Sequence, residues 1–372
     1  MHNRHVVRTL VASSLAALTG TAARAQQTEP VQQADEQYSF QFKADGLLRQ
    51  EWTRDLFQGD NQERWRIQLR PRLEIGVKQL LLAAGIDFNR SEDDNTAPPP
   101  DGGTLAIVRD NYRSRDTRLD QAYASLKLAR WVRLEGGRFP MTIGLTEMIW
   151  DRDLRPQGAA LHLGGTLSRL GLSVLAARGS HVFDDDETEM LLVSGRLAPP
   201  AQGRTTLELL ASFIIFRDVA ALEGIIRRQN TRVAPGGPLA FDYRVLDAVA
   251  RVRQDGVVPW QVVADLCWNT AAEADRRGVW LAFVLGSTRT SRGRVEYTFA
   301  DVDKDATVAA YATDDFFWST GWQGHRGDLG FRVGEHAALH GVVQAQRFKD
   351  SPREAERNHW VKRYRVELRL SY

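Results

Sequence analysis

The sequence has 372 residues, with 49 Lys and Arg against 47 Asp and Glu, a formal net charge of +2 and 43% hydrophobic residues. That near-balance gives no global support for a nucleic-acid partner, and one cysteine, Cys267, excludes an intramolecular disulfide framework. No run of about 18 apolar residues occurs after the N-terminus, so no transmembrane helix is predicted.

Residues 1–25 read as an export signal peptide. Arg4 and Arg8 precede an apolar run from Leu10 to Leu18, and Ala23-Arg24-Ala25 is a small-residue cleavage site. Cleavage would remove Arg4, Arg8 and Arg24 and no carboxylate. The 49 basic residues become 46 against 47 acidic ones, a formal −1. Residues 26–37 form a polar periplasmic N-terminal lead-in. Residues 38–372 are expected to form an outer-membrane β-barrel.

The expectation rests on period-two alternation, taken in chain order. Tyr38 to Glu51 forms a first strand, with Leu47 and Leu48 blurring its faces. Arg64 to Ile75 sets Trp65, Ile67, Leu69, Leu73 and Ile75 on one face and Arg64, Arg66, Arg70, Arg72 and Glu74 on the other. Pro71 forfeits a ladder hydrogen bond, so a local irregularity is predicted there. Leu80 to Asn89 follows a tight reversal, then a polar loop over 90–116. Leu119 to Leu128 and Val132 to Arg138 are strands, and 139–157 is a long, partly apolar loop. Gly158 to Gly165, Leu170 to Ala177, Met190 to Leu197 and Thr205 to Ile215 are the next four strands, with an acidic loop at 179–187. A loop at 217–240 contains a short helical stretch, Ala220 to Ile226. Phe241 to Arg253, Trp260 to Ala271, Arg277 to Gly286, Arg292 to Phe299, Arg326 to Val333 and Ala337 to Phe348 follow, with a solvated acidic and aromatic loop at 301–324. The chain ends on Tyr364, Val366, Leu368, Leu370 and Tyr372, alternating with Arg363, Arg365, Glu367, Arg369 and Ser371.

This makes sixteen strands, with long connections and short turns alternating. An even strand number, sorted loops and a terminal strand that must pair with the first predict a transmembrane antiparallel up-and-down β-barrel. A charged side chain facing lipid at mid-membrane costs roughly 2–4 kcal/mol. The arginines of the second and last strands therefore face the lumen. Lys43, Arg64, Arg66, Arg70, Arg72, Arg363, Arg365 and Arg369 lie on three strands that adjoin when the barrel closes, and are expected to form one basic wall. The competing reading pairs them with Asp45, Glu74 and Glu367 as lumen-filling ion pairs.

Gly136-Gly137-Arg138-Phe139-Pro140, followed by Trp150-Asp151-Arg152-Asp153-Leu154-Arg155-Pro156-Gln157-Gly158, resembles the putative porin family of Gram-negative outer membranes. The Arg-rich second strand and Gln121-Ala122-Tyr123 are also similar to that family. The resemblance implies passive diffusion of small hydrophilic solutes or ions through a water-filled barrel seated in outer-membrane lipid. By likeness to general porins it implies an inward-folded third long loop. Glu147, Asp151 and Asp153 then face the basic wall across a constriction, giving an anion-leaning pore. Alternatively Asp151 and Asp153 cap local backbone N–H groups, a reading preferred for Asp153. A homotrimer is implied by analogy of fold only.

No catalytic constellation stands out. Ser180, His181 and Asp184 fall in an acidic loop, His162 is isolated on a strand, and no H-E-x-x-H zinc motif occurs. Asp184 to Glu187, Asp301, Asp303, Asp314 and Asp315 read as solvated loop carboxylates rather than cation ligands. No enzyme activity, cofactor, metal or nucleic-acid partner is expected. The alternatives carried are a substrate-specific channel for a carboxylate, sugar or polyanion, and a barrel enzyme.

Overall fold

The computed structural model describes residues 38–55, 62–92, 115–164, 169–180, 187–219, 230–234, 238–240, 242–313, 315–316, 319–349 and 359–372. The predicted signal peptide, the lead-in, the 220–226 helix, Asp184 to Asp186, His181 and Asp314 lie outside the described residues.

Sixteen strands are present: β1 (Tyr38–Arg54), β2 (Gln62–Val77), β3 (Leu80–Glu92), β4 (Arg115–Ala129), β5 (Val132–Arg138), β6 (Pro156–Leu163), β7 (Leu170–Ser180) and β8 (Glu189–Leu197) form the first half. β9 (Thr205–Arg217), β10 (Tyr243–Gln254), β11 (Trp260–Asn269), β12 (Arg277–Gly286), β13 (Gly293–Val302), β14 (Trp322–Arg332), β15 (Ala337–Phe348) and β16 (Trp360–Ser371) form the second. Every strand pairs antiparallel with its neighbours in sequence, and β1 pairs with β16, so the sheet closes. The seam runs from Asp45 opposite Ser371 to Arg54 opposite Lys362. Tyr372 extends it, since its N–H donates to Ala44 O at 2.8 Å and its carbonyl accepts from Ala44 N at 3.0 Å. Closure leaves no unpaired edge in lipid.

Pro71 interrupts only one ladder. The β1–β2 register passes through Ala44 opposite Pro71, whereas β2–β3 pairing lapses at Arg70 and Pro71. The register shift falls one strand further on, between Gly85 and Ile86 against β4.

Alternation sorts the two faces. On β16, Tyr364 and Val366 are exposed on the outside, while Arg363, Arg365 and Glu367 are buried inside. On β7 to β11, apolar residues occupy both faces. Leu175, Leu192, Ile214, Phe216, Val245 and Val249 point inward and are buried, while Leu172, Leu191, Phe213, Leu246 and Leu266 are exposed. The inward apolar side chains form one core with Phe139, Met148, Ile149, Trp150 and Leu154 of the segment between β5 and β6. Each such side chain contributes about 1.5–3 kcal/mol when fully buried. The inward face of β7 to β11 is therefore largely hydrocarbon where it meets this segment, with Asp247, Asp265 and the Arg196–Glu208–Arg251 group as its charged exceptions, whereas arginine–carboxylate pairs crowd β12–β16 and β1–β2.

Candidate functional site

The eight basic residues read from the sequence lie on β1, β2 and β16, which are contiguous. Carboxylates interleave them. Lys43 Nζ lies 2.6 Å from Glu74, and Arg72 contacts Asp45 at 2.8 Å and Glu74 at 3.2 Å. Arg64, Arg363 and Arg365 converge on Glu51 at 2.6, 3.4 and 2.7 Å. Arg70 contacts Asp153 at 2.5 Å and Asp87 at 3.4 Å, and Arg369 contacts Glu367 at 2.6 Å and Asp328 at 3.2 Å. Arg66 is buried beside them. Glu51, only 2% exposed, is the anion about which the wall is built, and sequence reasoning did not select it.

The segment between β5 and β6 packs against lumen-facing side chains of four strands. Thr146 Oγ1 donates to Asp265 on β11, Arg251 on β10 donates to Gly144 O, Glu147 Oε2 accepts from Arg326 on β14 at 3.1 Å, and Asp153 pairs with Arg70 on β2. The two aspartates divide their roles in the reverse of the preferred sequence reading. Asp151 Oδ1 caps the Asp153 N–H at 2.8 Å, and it is Asp153 whose carboxylate reaches across to an arginine. Asp153 follows Asp151 by one tight turn, so its own side chain is freed to point at β2. Burial raises the Asp151 carboxyl to about 7, helped by the neighbouring charge of Asp153. Burial would raise Asp153 too, but Arg70 and Arg66 outweigh it and hold that carboxyl well below the usual range.

The connection between β13 and β14 departs from the sequence reading. Asp305, Thr307, Val308, Tyr311 and Phe316 are buried, so this is not a solvated acidic loop. Asp305 accepts from Tyr243 OH at 2.8 Å and from Thr231 N at 2.8 Å. Tyr311 lies between Trp150, at 5.2 Å and 5°, and Phe216, at 5.5 Å and 10°. That stack joins both connecting segments to the lumen face of β9. Asp315 then sits among four guanidinium groups: Arg365 at 3.0 Å, Arg49 and Arg152 at 3.1 Å, and Arg326 at 3.6 Å. Burial alone would raise its pKa, but Arg365, Arg49, Arg152 and Arg326 hold it well below the usual carboxylate range. The available signal was the run Ala306-Thr307-Val308-Ala309-Ala310-Tyr311-Ala312, too small and apolar for a water-exposed loop. Asp301 and Asp303 share a single partner, Lys349, rather than standing free in solvent. His162 is not isolated: Glu135 lies 3.0 Å from Nε2 and Ser173 2.9 Å from Nδ1.

Two cavities meet at this cluster. One, of about 260 Å³, reaches from Thr146 and Trp280 to Arg369. The other, of about 520 Å³, opens towards the short turns at Arg289 and His336. Arg152, Arg294, Asp315 and Arg369 line both. Six arginines face four carboxylates around the first, and six face five around the second. Arginines thus slightly outnumber carboxylates in both linings, between apolar stretches such as Val263, Trp280 and Val284 in the first and Leu47, Ala337 and Leu370 in the second.

The motif residues build the return of the chain into the wall. Gly137 and Gly158 are register partners. Gly137 has φ +114°, and a Cβ there would lie 2.3 Å from Ala122 O; one at Gly158 would lie 2.1 Å from Ala176 O. Trp150 Nε1 donates to Leu154 O at 3.3 Å, and Arg155 lies 3.2 Å from Asp120.

The model of the putative porin family matches residues 32–194. No curated protein matches the sequence. Among solved structures, Pseudomonas putida OprB at high pH aligns with TM-score 0.62 and 11% identity, over 91% of this chain and 95% of that one. OprB at low pH gives TM-score 0.53 and 12% identity over 91% and 93%. A double mutant of Rhodopseudomonas blastica porin gives 0.51 and 10% over 90% and 100%. At these identities the structural likeness shows the fold. Residues 32–194, somewhat under half of the chain, thus match the sequence pattern of the putative porin family, and the described strands form a porin-type barrel closed by β1 and β16.

Proposed function

We propose that this barrel carries small hydrophilic solutes and ions by passive diffusion, with a weak preference for anions. The observation that carries the reading is the pair of cavities meeting at Arg152, Arg294, Asp315 and Arg369, where arginines outnumber carboxylates. The segment over 139–155 acts as the constriction, with Glu147 and Asp153 set against Arg326 and Arg70. Opposed rows of fixed charge orient water and polar solutes, and they disfavour apolar ones that cannot replace the lost hydration. Because nearly every arginine has a carboxylate partner, the anion preference is small rather than strict.

Family and fold point to a channel rather than an enzyme. A substrate-specific channel would share this fold and differ in showing saturable flux. The test is a planar bilayer with a salt gradient. A reversal potential displaced modestly toward the anion equilibrium value supports the proposal, and a cation-selective value contradicts it. A homotrimer is proposed on analogy of fold, and the mass of the detergent-solubilised assembly tests it.

A further inference from the structure

The geometry points to a binding site for a phosphorylated glycolipid of the outer leaflet on the lipid-facing surface of β5 to β9. Arg138, Gln157, Arg178, Glu189 and Arg217 are successive register partners, forming one straight row across five strands. Their side chains take the outward positions at the long-loop end of each strand. The outward positions just inside the row are Ala159, Ala176, Leu191 and Ile215, all apolar. On β9 the outward face is apolar from Leu207 to Ile215, and Arg217 follows. At ~3.3 Å per residue and ~40° of tilt, Leu207 to Arg217 rises about 25 Å along the barrel axis, the height of the apolar band of such barrels. The row therefore sits where headgroup phosphates meet hydrocarbon. Long loops of such barrels face the exterior, so the leaflet is the outer one.

The surface beneath the row is grooved. A cavity of about 440 Å³ is walled by Arg178 and Arg217 and floored by Ala176, Leu191 and Ile215. Ala176, with Gly158 beside it, keeps the floor low, leaving a slot of the kind an acyl chain fills. Arg178 is held loosely by Glu187, with both side chains 64% exposed at 2.8 Å, an exposed pair of little strength. The Arg217 side chain has no partner among the described residues. Arg138 is tied to Gln157 at 3.1 Å and to Leu119 O at 2.9 Å. Glu189 is the single carboxylate in the row. Two under-satisfied guanidiniums above a shallow apolar slot match one chemistry: phosphate and acyl chains on the same molecule.

The test uses the purified full barrel in detergent with native mass spectrometry. The probes are a bisphosphorylated, hexa-acylated glucosamine disaccharide, its dephosphorylated form and phosphatidylglycerol. The site predicts retention of one bisphosphorylated glycolipid, with much weaker retention of the other two probes. Arg178→Ala and Arg217→Ala each weaken retention by about tenfold, the value of one charge-assisted phosphate contact. Glu189→Gln strengthens it. Each variant is first checked for the heat-modifiable migration of a folded barrel, because these outward side chains carry none of the lumen packing. Equal retention of the dephosphorylated probe or of phosphatidylglycerol overturns the proposal, as does unchanged binding by the double variant. Cross-links placing the row against a second copy of the chain overturn it too.

Discussion

Asp315→Asn removes the carboxylate on which Arg365, Arg49, Arg152 and Arg326 converge, while keeping its volume. At 3.0–3.6 Å and an effective dielectric constant of ~20, each contact has a gross Coulomb energy of about 5 kcal/mol. The net loss is smaller, because each arginine keeps a second anion: Glu51 for Arg365, Glu367 for Arg49, Glu147 for Arg152, and Glu296 for Arg326. No charge is stranded, and the Asp315 side chain is 14% exposed, so about 3 kcal/mol is expected, the low end for breaking a buried pair. That energy holds Asp315 and the described residues beside it, Thr313 and Phe316, against the wall. Losing it raises the population of a displaced segment by about 100-fold. Single-channel recording is the assay. The variant should show larger and noisier conductance and a stronger anion preference, with the folded-barrel gel band unchanged. The depressed pKa fixes the pH window. The ionised form's contribution is fully present above ~3.9, the unfolded carboxyl value, and is lost only as pH falls through the still lower folded value. The difference between wild type and variant should therefore persist from pH 8 to pH 5. Identical conductance, noise and selectivity would refute the reasoning that Asp315 anchors this segment beside the ion path.

Four other outcomes follow from the same geometry. Arg70→Glu and Arg365→Glu should each abolish the anion preference in reversal-potential measurements, with Arg365→Glu also reducing barrel yield because it sets a second carboxylate beside the buried Glu51. Asp151 has a raised carboxyl, so its stabilising contribution is fully present below ~3.9 and is lost as pH rises through about 7. The wild-type constriction should loosen as pH rises from ~4 to about 7, by an amount limited to about 4 kcal/mol, and Asp151→Asn should remove that pH dependence of the conductance. Gly137→Ala forces a left-handed residue and a Cβ at 2.3 Å onto Ala122 O, so the folded fraction on heat-modifiability gels should drop severely. Deleting Tyr372 removes both hydrogen bonds to Ala44 and the ring contact with Phe42 at 6.2 Å, and should slow assembly of folded barrel in vesicles.

Sequence alternation revealed the barrel because lipid and water impose opposite demands on successive residues. β16 and β2 carry that signal almost without noise, and all sixteen strands were readable, with boundaries within a few residues at most ends. The signal was weakest where a strand has no water on either side. On β8 and β9, Leu191, Val193 and Phe213 face lipid while Leu192, Ile214 and Phe216 face an apolar core, so both faces look alike. The inward β13–β14 connection was missed because Asp301, Asp303 and Asp315 suggested solvent, while the small apolar run from Ala306 to Ala312 carried the opposing signal. The inward orientation of Arg66, Arg363 and Arg365 was legible from the cost of a charge in lipid. Their anions were not, because Glu51 and Asp315 are separated by 264 positions in sequence and meet only when β1 and β16 close the ring around the second segment.

The most direct measurement is the zero-current potential of the purified barrel in a planar bilayer across a tenfold potassium chloride gradient at pH 7. A weakly positive charged lumen predicts stable conductance steps and a reversal potential modestly on the chloride side. Absence of conductance contradicts the pore itself, and a potential on the potassium side contradicts the reading of its charged lining.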